Sequence, residues 1–317
     1  MSLAMKLDGI HHITAITADA PGNVEFYTGV LGLRMVKKSV NQDDPTVYHL
    51  FYGDEDGSPG ADLTFFEYPG AARGQAGAGM VHRIVWRVSS LQALEFWRER
   101  LGAHGTEAAL AGQSLVFADP EGLEHELVVT DTADELLMAK APDIPAEYAL
   151  QGFDGARAYS AEPDRSARLL GETLGFTSAD DAGHWEVRGE RRGSFYAYDP
   201  PPPGVIASQG AGTVHHVAFA SEPQDEEAWR ERVAASGSRP TPVIERFYFR
   251  SVYFREPSGV LFEIATIGPG FAVDEDQEHL GERLSLPPRF EPLREQLERT
   301  LTPLPYPRSA PDAAPAA

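Results

Sequence analysis

Gly9-Ile-His-His-Ile-Thr-Ala-Ile16 and Val214-His-His-Val-Ala-Phe-Ala220 are near copies of one pattern, two adjacent histidines inside an apolar run, set more than 200 residues apart. Each run has the β-branched and aromatic content of a strand. Two related runs lie between them: Val81-His-Arg-Ile-Val-Trp-Arg-Val88, and Gly155-Ala-Arg-Ala-Tyr-Ser160, which has no histidine. An amphipathic segment follows each, ending at Leu31-Gly32, Leu101-Gly102, Leu174-Gly175 or Ser236-Gly237. The interval from His12 to Leu31 is 19 residues, as is that from His82 to Leu101. A fixed interval between strand and helix end marks an internal repeat.

Beyond each helix, Tyr/Phe/Val-rich segments broken by Gly, Pro and Asp turns read as three further strands. The final turn and strand recur as well. Asp119-Pro-Glu-Gly-Leu-Glu-His-Glu126 and Glu256-Pro-Ser-Gly-Val-Leu-Phe-Glu263 each place a glutamate six residues after a proline. The spacing predicts an α+β fold of four βαβββ modules. Residues 5–130 hold modules 1 and 2, and residues 151–267 hold modules 3 and 4. Residues 268–317 form an appendix with a helix over 290–301 and a Pro/Ala-rich tail from Thr302 that is expected to be disordered. Gly70–Gly79 has the composition of a flexible linker, and Asp180-Asp181 reads as a solvated turn.

Composition narrows the function. Acidic residues outnumber basic ones, 48 to 27, for a net charge of −21. Such a surface repels polyphosphates and argues against nucleic acid or an anionic membrane as partner. There is no cysteine, which removes disulfides, thiolate metal sites and cysteine nucleophiles. No apolar run approaches a membrane span and no signal-peptide pattern opens the chain, so a cytoplasmic protein is expected. Met1-Ser-Leu-Ala4 reads as an expression remnant.

Strand parity sorts the histidines. Alternating side chains put His12 with Thr14 and Ile16 on one face, and His216 with Ala218 and Ala220. The bulkier opposite faces, carrying His11 and His215, should pack beneath the helices. The second histidine of each pair is therefore the candidate ligand. Two imidazoles and one carboxylate around open positions are the donor set of non-haem Fe(II) oxygenases. Two sets compete: His12, His216 and Glu263, or His12, His82 and Glu126. Module 3 has only Gly155 and Ala156 at the matching point, so His12 must complete one or the other.

Gly9 to Thr14, Leu63-Thr-Phe-Phe-Glu-Tyr-Pro69, Val214 to Val217, Arg246-Phe-Tyr-Phe-Arg-Ser251 and Tyr253 to Thr266 together resemble the vicinal-oxygen-chelate superfamily, over nearly the whole chain. Within it, the chain is most similar to hydroquinone- and chlorohydroquinone-cleaving dioxygenases. The resemblance implies two incomplete-barrel halves, with module 1 paired with module 4. It implies Fe(II), or else Mn(II), on His12, His216 and Glu263, with His82 and Glu126 as non-catalytic echoes. His11, Thr14, His215, Arg246 and Tyr253 match the family's substrate and supporting positions. Their chemistry suits proton transfer, or the holding of reduced oxygen or an anionic phenolate. Arg246 and Tyr253 are seven residues apart and share a site only if a turn or bulge intervenes. The partners implied are an aromatic substrate and O₂, and the chain is expected to form a homo-oligomer.

A glyoxalase-like lyase or isomerase would need Glu67 as a second carboxylate. Counting from Gly60, as Glu126 follows Gly122 and Glu263 follows Gly259, lands on Thr64 instead. Three protein ligands are expected. A metal-free aromatic- or drug-binding module is the other alternative. His49, His104, His184 and His279 have no partner in the repeat and read as surface or structural residues.

Overall fold

The computed structural model describes residues 5–179 and 183–305; Met1-Ser-Leu-Ala4, Asp180-Asp181 and the tail from residue 306 lie outside the described residues. Each module contributes four strands. Module 1 gives β1 (Ile10–Thr17), β2 (Arg34–Val40), β3 (Tyr48–Gly53) and β4 (Asp62–Glu67). Module 2 gives β5 (Met80–Val88), β6 (Ala108–Ala111), β7 (Ser114–Ala118) and β8 (Glu124–Val129). Module 3 gives β9 (Phe153–Tyr159), β10 (Thr177–Ser178), β11 (His184–Arg188) and β12 (Gly193–Asp199). Module 4 gives β13 (Val214–Ser221), β14 (Ile244–Glu245), β15 (Arg250–Arg255) and β16 (Leu261–Thr266).

The strands form two curled eight-stranded sheets, ordered β14-β15-β16-β13-β1-β4-β3-β2 and β10-β11-β12-β9-β5-β8-β7-β6. Module 1 thus joins module 4 through the antiparallel β1–β13 pair, and module 2 joins module 3 through β5–β9. This is the pairing that the family resemblance implies, and it brings the two histidine pairs onto neighbouring strands. One hydrophobic core runs through both sheets, from Ile13 and Phe65 to Trp86, Leu127 and Phe219. Two further ties cross between the sheets. Tyr27 donates to Asp119, and Tyr198 to Glu256, so each repeated Asp/Glu-Pro turn is held by a tyrosine from a module of the other sheet. The Gly70–Gly79 linker is not a free spacer. It bridges to the 204–213 segment at Arg73–Ala211 and Gln75–Ser208, and a Cβ on Gly74 would come within 2.6 Å of the Gly210 nitrogen.

The helices explain a one-residue slip in the repeat. Module 2 has a regular helix, α2 (Leu91–Ala103), whereas α1 of module 1 (Ala20–Val24) runs into a π-turn at Glu25–Val30. There the Leu31 N–H reaches back five residues to the Phe26 carbonyl, at 3.0 Å. The π-turn inserts one residue, so the equal 19-residue intervals do not pair equivalent positions. Strand register supplies the true match. A bulge falls at His11 in β1 and at His82 in β5. His82 is therefore the counterpart of His11, and Arg83 stands where His12 does.

The appendix closes the end of the first sheet. Pro292 falls inside the expected helix over 290–301, and residues 288–293 form a 3₁₀ turn before an α-helix at Arg294–Thr300, so that helix is split. Phe271 and Leu280 pack with Val36, Phe51, Tyr248 and Phe249. Lys37, wholly buried, donates to the Phe271 carbonyl at 3.0 Å, to Asp274 at 2.8 Å and to Glu275, beneath the Tyr248 ring. Lys37→Ala removes the nearest cation from buried Glu275 and leaves it Arg283 at 3.8 Å. It should cost about 3–5 kcal/mol, seen as a lower denaturant midpoint and faster proteolysis within 271–283. An unchanged midpoint would show that the appendix is held by its apolar contacts alone.

Candidate metal centre and its pocket

β16, β13 and β1 are adjacent strands, and each sends one buried donor to the same point. His12 Nε2 and His216 Nε2 lie 3.2 Å apart. Glu263 Oε2 is 3.2 Å from the first and 2.9 Å from the second. These three form the one group among the described residues whose side chains could jointly hold a metal ion. Glu263 Oε2 is buried and has no hydrogen-bond partner of proper geometry, although two ring nitrogens face it. Donors about 2.1 Å from one ion lie about 3.0 Å apart at right angles and about 3.4 Å apart in a tetrahedron. The observed edges of 2.9–3.2 Å span these spacings, so all three atoms can touch one ion at once.

The paired histidines work as units. His11 and His215 are each the extra residue of a bulge in the β1–β13 pair, and this corrects their expected place under the helices. The bulge turns His11 so that its Nδ1 lies 2.9 Å from Nδ1 of His12 and its Nε2 lies 3.1 Å from the Thr266 carbonyl. A carbonyl only accepts, so His11 carries its proton on Nε2. Burial, then the neighbouring His12, pulls its pKa down to about 3, which keeps it neutral. His11 Nδ1 must therefore accept from His12 Nδ1–H, which turns His12 Nε2 to the converging point. His215 repeats the contact, Nδ1 to Nδ1 of His216 at 2.8 Å, and burial and His216 lower it to about 4. On Glu263, burial opposes ionisation, but His12 and His216 outweigh it and hold the carboxyl well below its usual range. Ser251 donates to its other oxygen, Oε1, at 2.5 Å.

A pocket lined by Thr14, His49, Phe51, Phe66, Phe249 and Tyr253 opens on this point. Arg246 and Tyr253 both line it, because residues 246–249 make a tight turn with Phe247 at φ 69° before β15 begins. That turn resolves the parity conflict. The Arg246 guanidinium sits 5.4 Å from the Tyr253 ring centre, 3.4 Å from its hydroxyl, and pairs with Asp43 at the rim. Burial, then the Glu263 charge, raises the Tyr253 phenol, so it stays protonated. Thr14 lies on the floor, its hydroxyl 2.8 Å from that of Thr64.

Thr64 pairs with Thr14 as Glu263 pairs with Ala218, so it occupies the place a second carboxylate would need. Glu67 is elsewhere: Ala20, Tyr48 and Thr302 take up its carboxyl. Glu67→Gln should leave bound metal within about twofold of wild type, as expected for a group outside the coordination sphere. Loss of the metal would make it a ligand.

The rival set does not assemble. His82 and Glu126 lie in the other sheet from His12. At the matching point of that cup, Arg83 pairs with Glu124 and Glu126, Arg157 pairs with Asp199, and Gly155 takes the place of His216 under the Phe195 ring. Arginine ion pairs fill the space where the first sheet brings three candidate ligand atoms together. His49, expected from the sequence to be a surface or structural residue, belongs to the pocket instead. It lines the pocket beside Phe51 and Phe66, with Nε2 3.0 Å from Thr64 Oγ1. Burial, then His12 and His216, keep it well below its ordinary pKa. Its alternation with Phe51 along β3, matching Ser251 and Tyr253 on β15, was the available signal.

Comparison with known proteins agrees with this architecture. The family profile "Glyoxalase/Bleomycin resistance protein/Dioxygenase superfamily" matches residues 9–127 and again 152–264. MhqA of Bacillus subtilis, provisionally named a ring-cleaving dioxygenase, is 40% identical, over 95% of this chain and 100% of its own. A chlorohydroquinone/hydroquinone 1,2-dioxygenase of Sphingobium indicum is 30% identical, over 95% and 98%. A Bacillus subtilis crystal structure, provisionally described as a dioxygenase, superimposes with a TM-score of 0.89 at 39% identity, over 95% and 99%. No helix among the described residues is long and apolar enough to cross a membrane. With two profile matches, full-length relatives and two sheets built from four repeated units, the chain belongs to the glyoxalase/bleomycin resistance protein/dioxygenase superfamily.

Proposed function

We propose that the chain is a ring-cleaving dioxygenase, opening hydroquinone-like or catechol-like aromatics in the extradiol manner with O₂ on a metal held by His12, His216 and Glu263. Fe(II) is the metal best suited to that donor set, with Mn(II) second. One observation carries the reading: two imidazole nitrogens and a carboxylate oxygen converge within 3.2 Å of one another beneath a pocket walled by Phe51, Phe66 and Phe249. The names of the full-length relatives support it. A bound divalent iron would supply the site where an ionised phenol oxygen and O₂ meet and exchange electrons.

The side chains do the rest. His11 and His215 hold the two ligand rings by Nδ1. Ser251 holds Glu263 by Oε1 and turns Oε2 to the centre. Arg246 stabilises an anionic oxygen on the aromatic, and Tyr253 is the proton donor beside it. Thr14 presents its hydroxyl from the floor. The aromatic walls orient the ring and exclude water.

A glyoxalase-type isomerase would need a second carboxylate at Thr64. A passive aromatic-binding module would have no use for a desolvated three-donor centre. The test is anaerobic loading with Fe(II), followed by O₂ uptake on hydroquinone, catechol and their chlorinated forms. Uptake should require both metal and aromatic. No uptake with any aromatic, together with turnover of thiohemiacetals, would overturn the reading.

A further inference from the structure

The three converging donors sit off-centre in their cup. Glu263, His216 and His12 occupy the neighbouring strands β16, β13 and β1, and Tyr253 and Arg246 lie on the β15 side. The opposite half, β4 and β3, contributes none of the three donors. Thr64 there stands in the place of Glu263, Phe51 in that of Tyr253, and His49 in that of Ser251. His49 is fixed before any substrate arrives. Its Nε2 meets Thr64, Thr64 meets Thr14, and Phe51 and Phe66 hold the ring at centroid distances of 4.0 and 4.4 Å. No described residue hydrogen-bonds its Nδ1.

We propose that His49 is a specificity-determining residue that hydrogen-bonds the far hydroxyl of a para-dihydroxylated ring whose near oxygen sits at the three-donor centre. The inference rests on the ring-cleaving reading. A ring anchored there by one oxygen has Tyr253 and Arg246 on one side, so it extends over the half that holds Thr14, Thr64 and His49. β3 is three strands from β13, at about 4.8 Å per strand before the curl of the sheet brings them together. Both oxygens of a catechol stay at the anchored end. Only an oxygen across the ring is carried toward β3. A neutral imidazole matches a phenol hydroxyl in either direction, donating or accepting.

The test is anaerobic binding of hydroquinone, phenol and catechol to the Fe(II)-loaded protein. Wild type should bind phenol about tenfold more weakly than hydroquinone, the value of one desolvated hydrogen bond. His49→Phe should weaken hydroquinone by the same factor, raising its KM more than it lowers kcat, while phenol and catechol change by less than about twofold. Equal effects on all three ligands, or none, would overturn the assignment. If His49→Phe fails to fold or to hold metal, the wild-type comparison decides, and equal affinity for phenol and hydroquinone counts against it. A wild type that takes up no O₂ with any aromatic refutes the ring-cleaving reading and this inference with it. A wild type that cleaves hydroquinone while His49→Phe discriminates as before refutes only the role of His49.

Discussion

Glu263→Gln protein should bind Fe(II) at least about a hundredfold more weakly than wild type, and turn over aromatic substrate at background level. The hundredfold floor follows from scale: changing a residue that merely supports a ligand costs 10–100-fold in affinity, and Glu263 supplies a donor and the centre's only negative charge. The same substitution should not weaken the metal-free fold. Glu263 is fully buried, its Oε2 has no hydrogen-bond partner, and its ionised form is kept by two imidazoles that a neutral amide no longer needs. Functional groups are often held at a cost in stability, so replacing one by a neutral isostere can leave the fold as stable or more so. Unfolding midpoints with and without Fe(II) separate the two effects. Wild type should gain stability on metal addition, as any ligand bound only by the folded state confers. The variant should show no gain, with a metal-free midpoint equal to or above that of wild type. A metal-free midpoint well below wild type would make Glu263 a structural residue.

Tyr253→Phe should keep the metal and lose the chemistry. The hydroxyl is about 3.4 Å from Arg246 Nε, and burial with the Glu263 charge keeps it protonated. A positioned acid of this kind is worth about 10²–10⁴-fold in rate, so kcat should fall at least about a hundredfold. The ring remains to pack against His216, and metal content and substrate affinity should stay near wild type. Arg246 tells the two roles apart. Arg246→Lys keeps a charge but loses the planar fork, and its loss should appear in the affinity for anionic substrates. A Tyr253→Phe enzyme at full kcat would move proton donation to another group, with Thr14 and His49 as the remaining pocket candidates.

Much of this was legible in the residues, and the misses have physical causes. The strand runs, the Leu-Gly helix ends and the Pro-to-Glu turns each repeat, and two independent repeats are enough to define the module. The missing histidine at Gly155 showed that His12 must complete a site elsewhere but left two pairings open, and the family resemblance, not the residues themselves, singled out modules 1 and 4. The register of module 2 was misread by one because the π-turn at Glu25–Val30 adds a residue that no propensity signals. This promoted His82 and hid Arg83, whose ion pairs fill the second cup. Simple alternation also misplaced His11 and His215. Each is a bulge residue, and a bulge is fixed by its partner strand, not by its own sequence. His49 stayed hidden for a related reason. Its neighbours across the sheet, Thr64 and Phe66, lie in β4, and nothing local to β3 says that this face lines a pocket.

The most direct measurement is the fate of heavy-isotope dioxygen. Fe(II)-loaded protein given hydroquinone and oxygen-18 gas should yield a ring-opened acid carrying both labelled atoms, one O₂ consumed per ring, and no product when His216 is alanine. A product with one labelled atom or none, or an unopened ring beside an intact metal centre, would contradict ring cleavage by the His12, His216 and Glu263 centre.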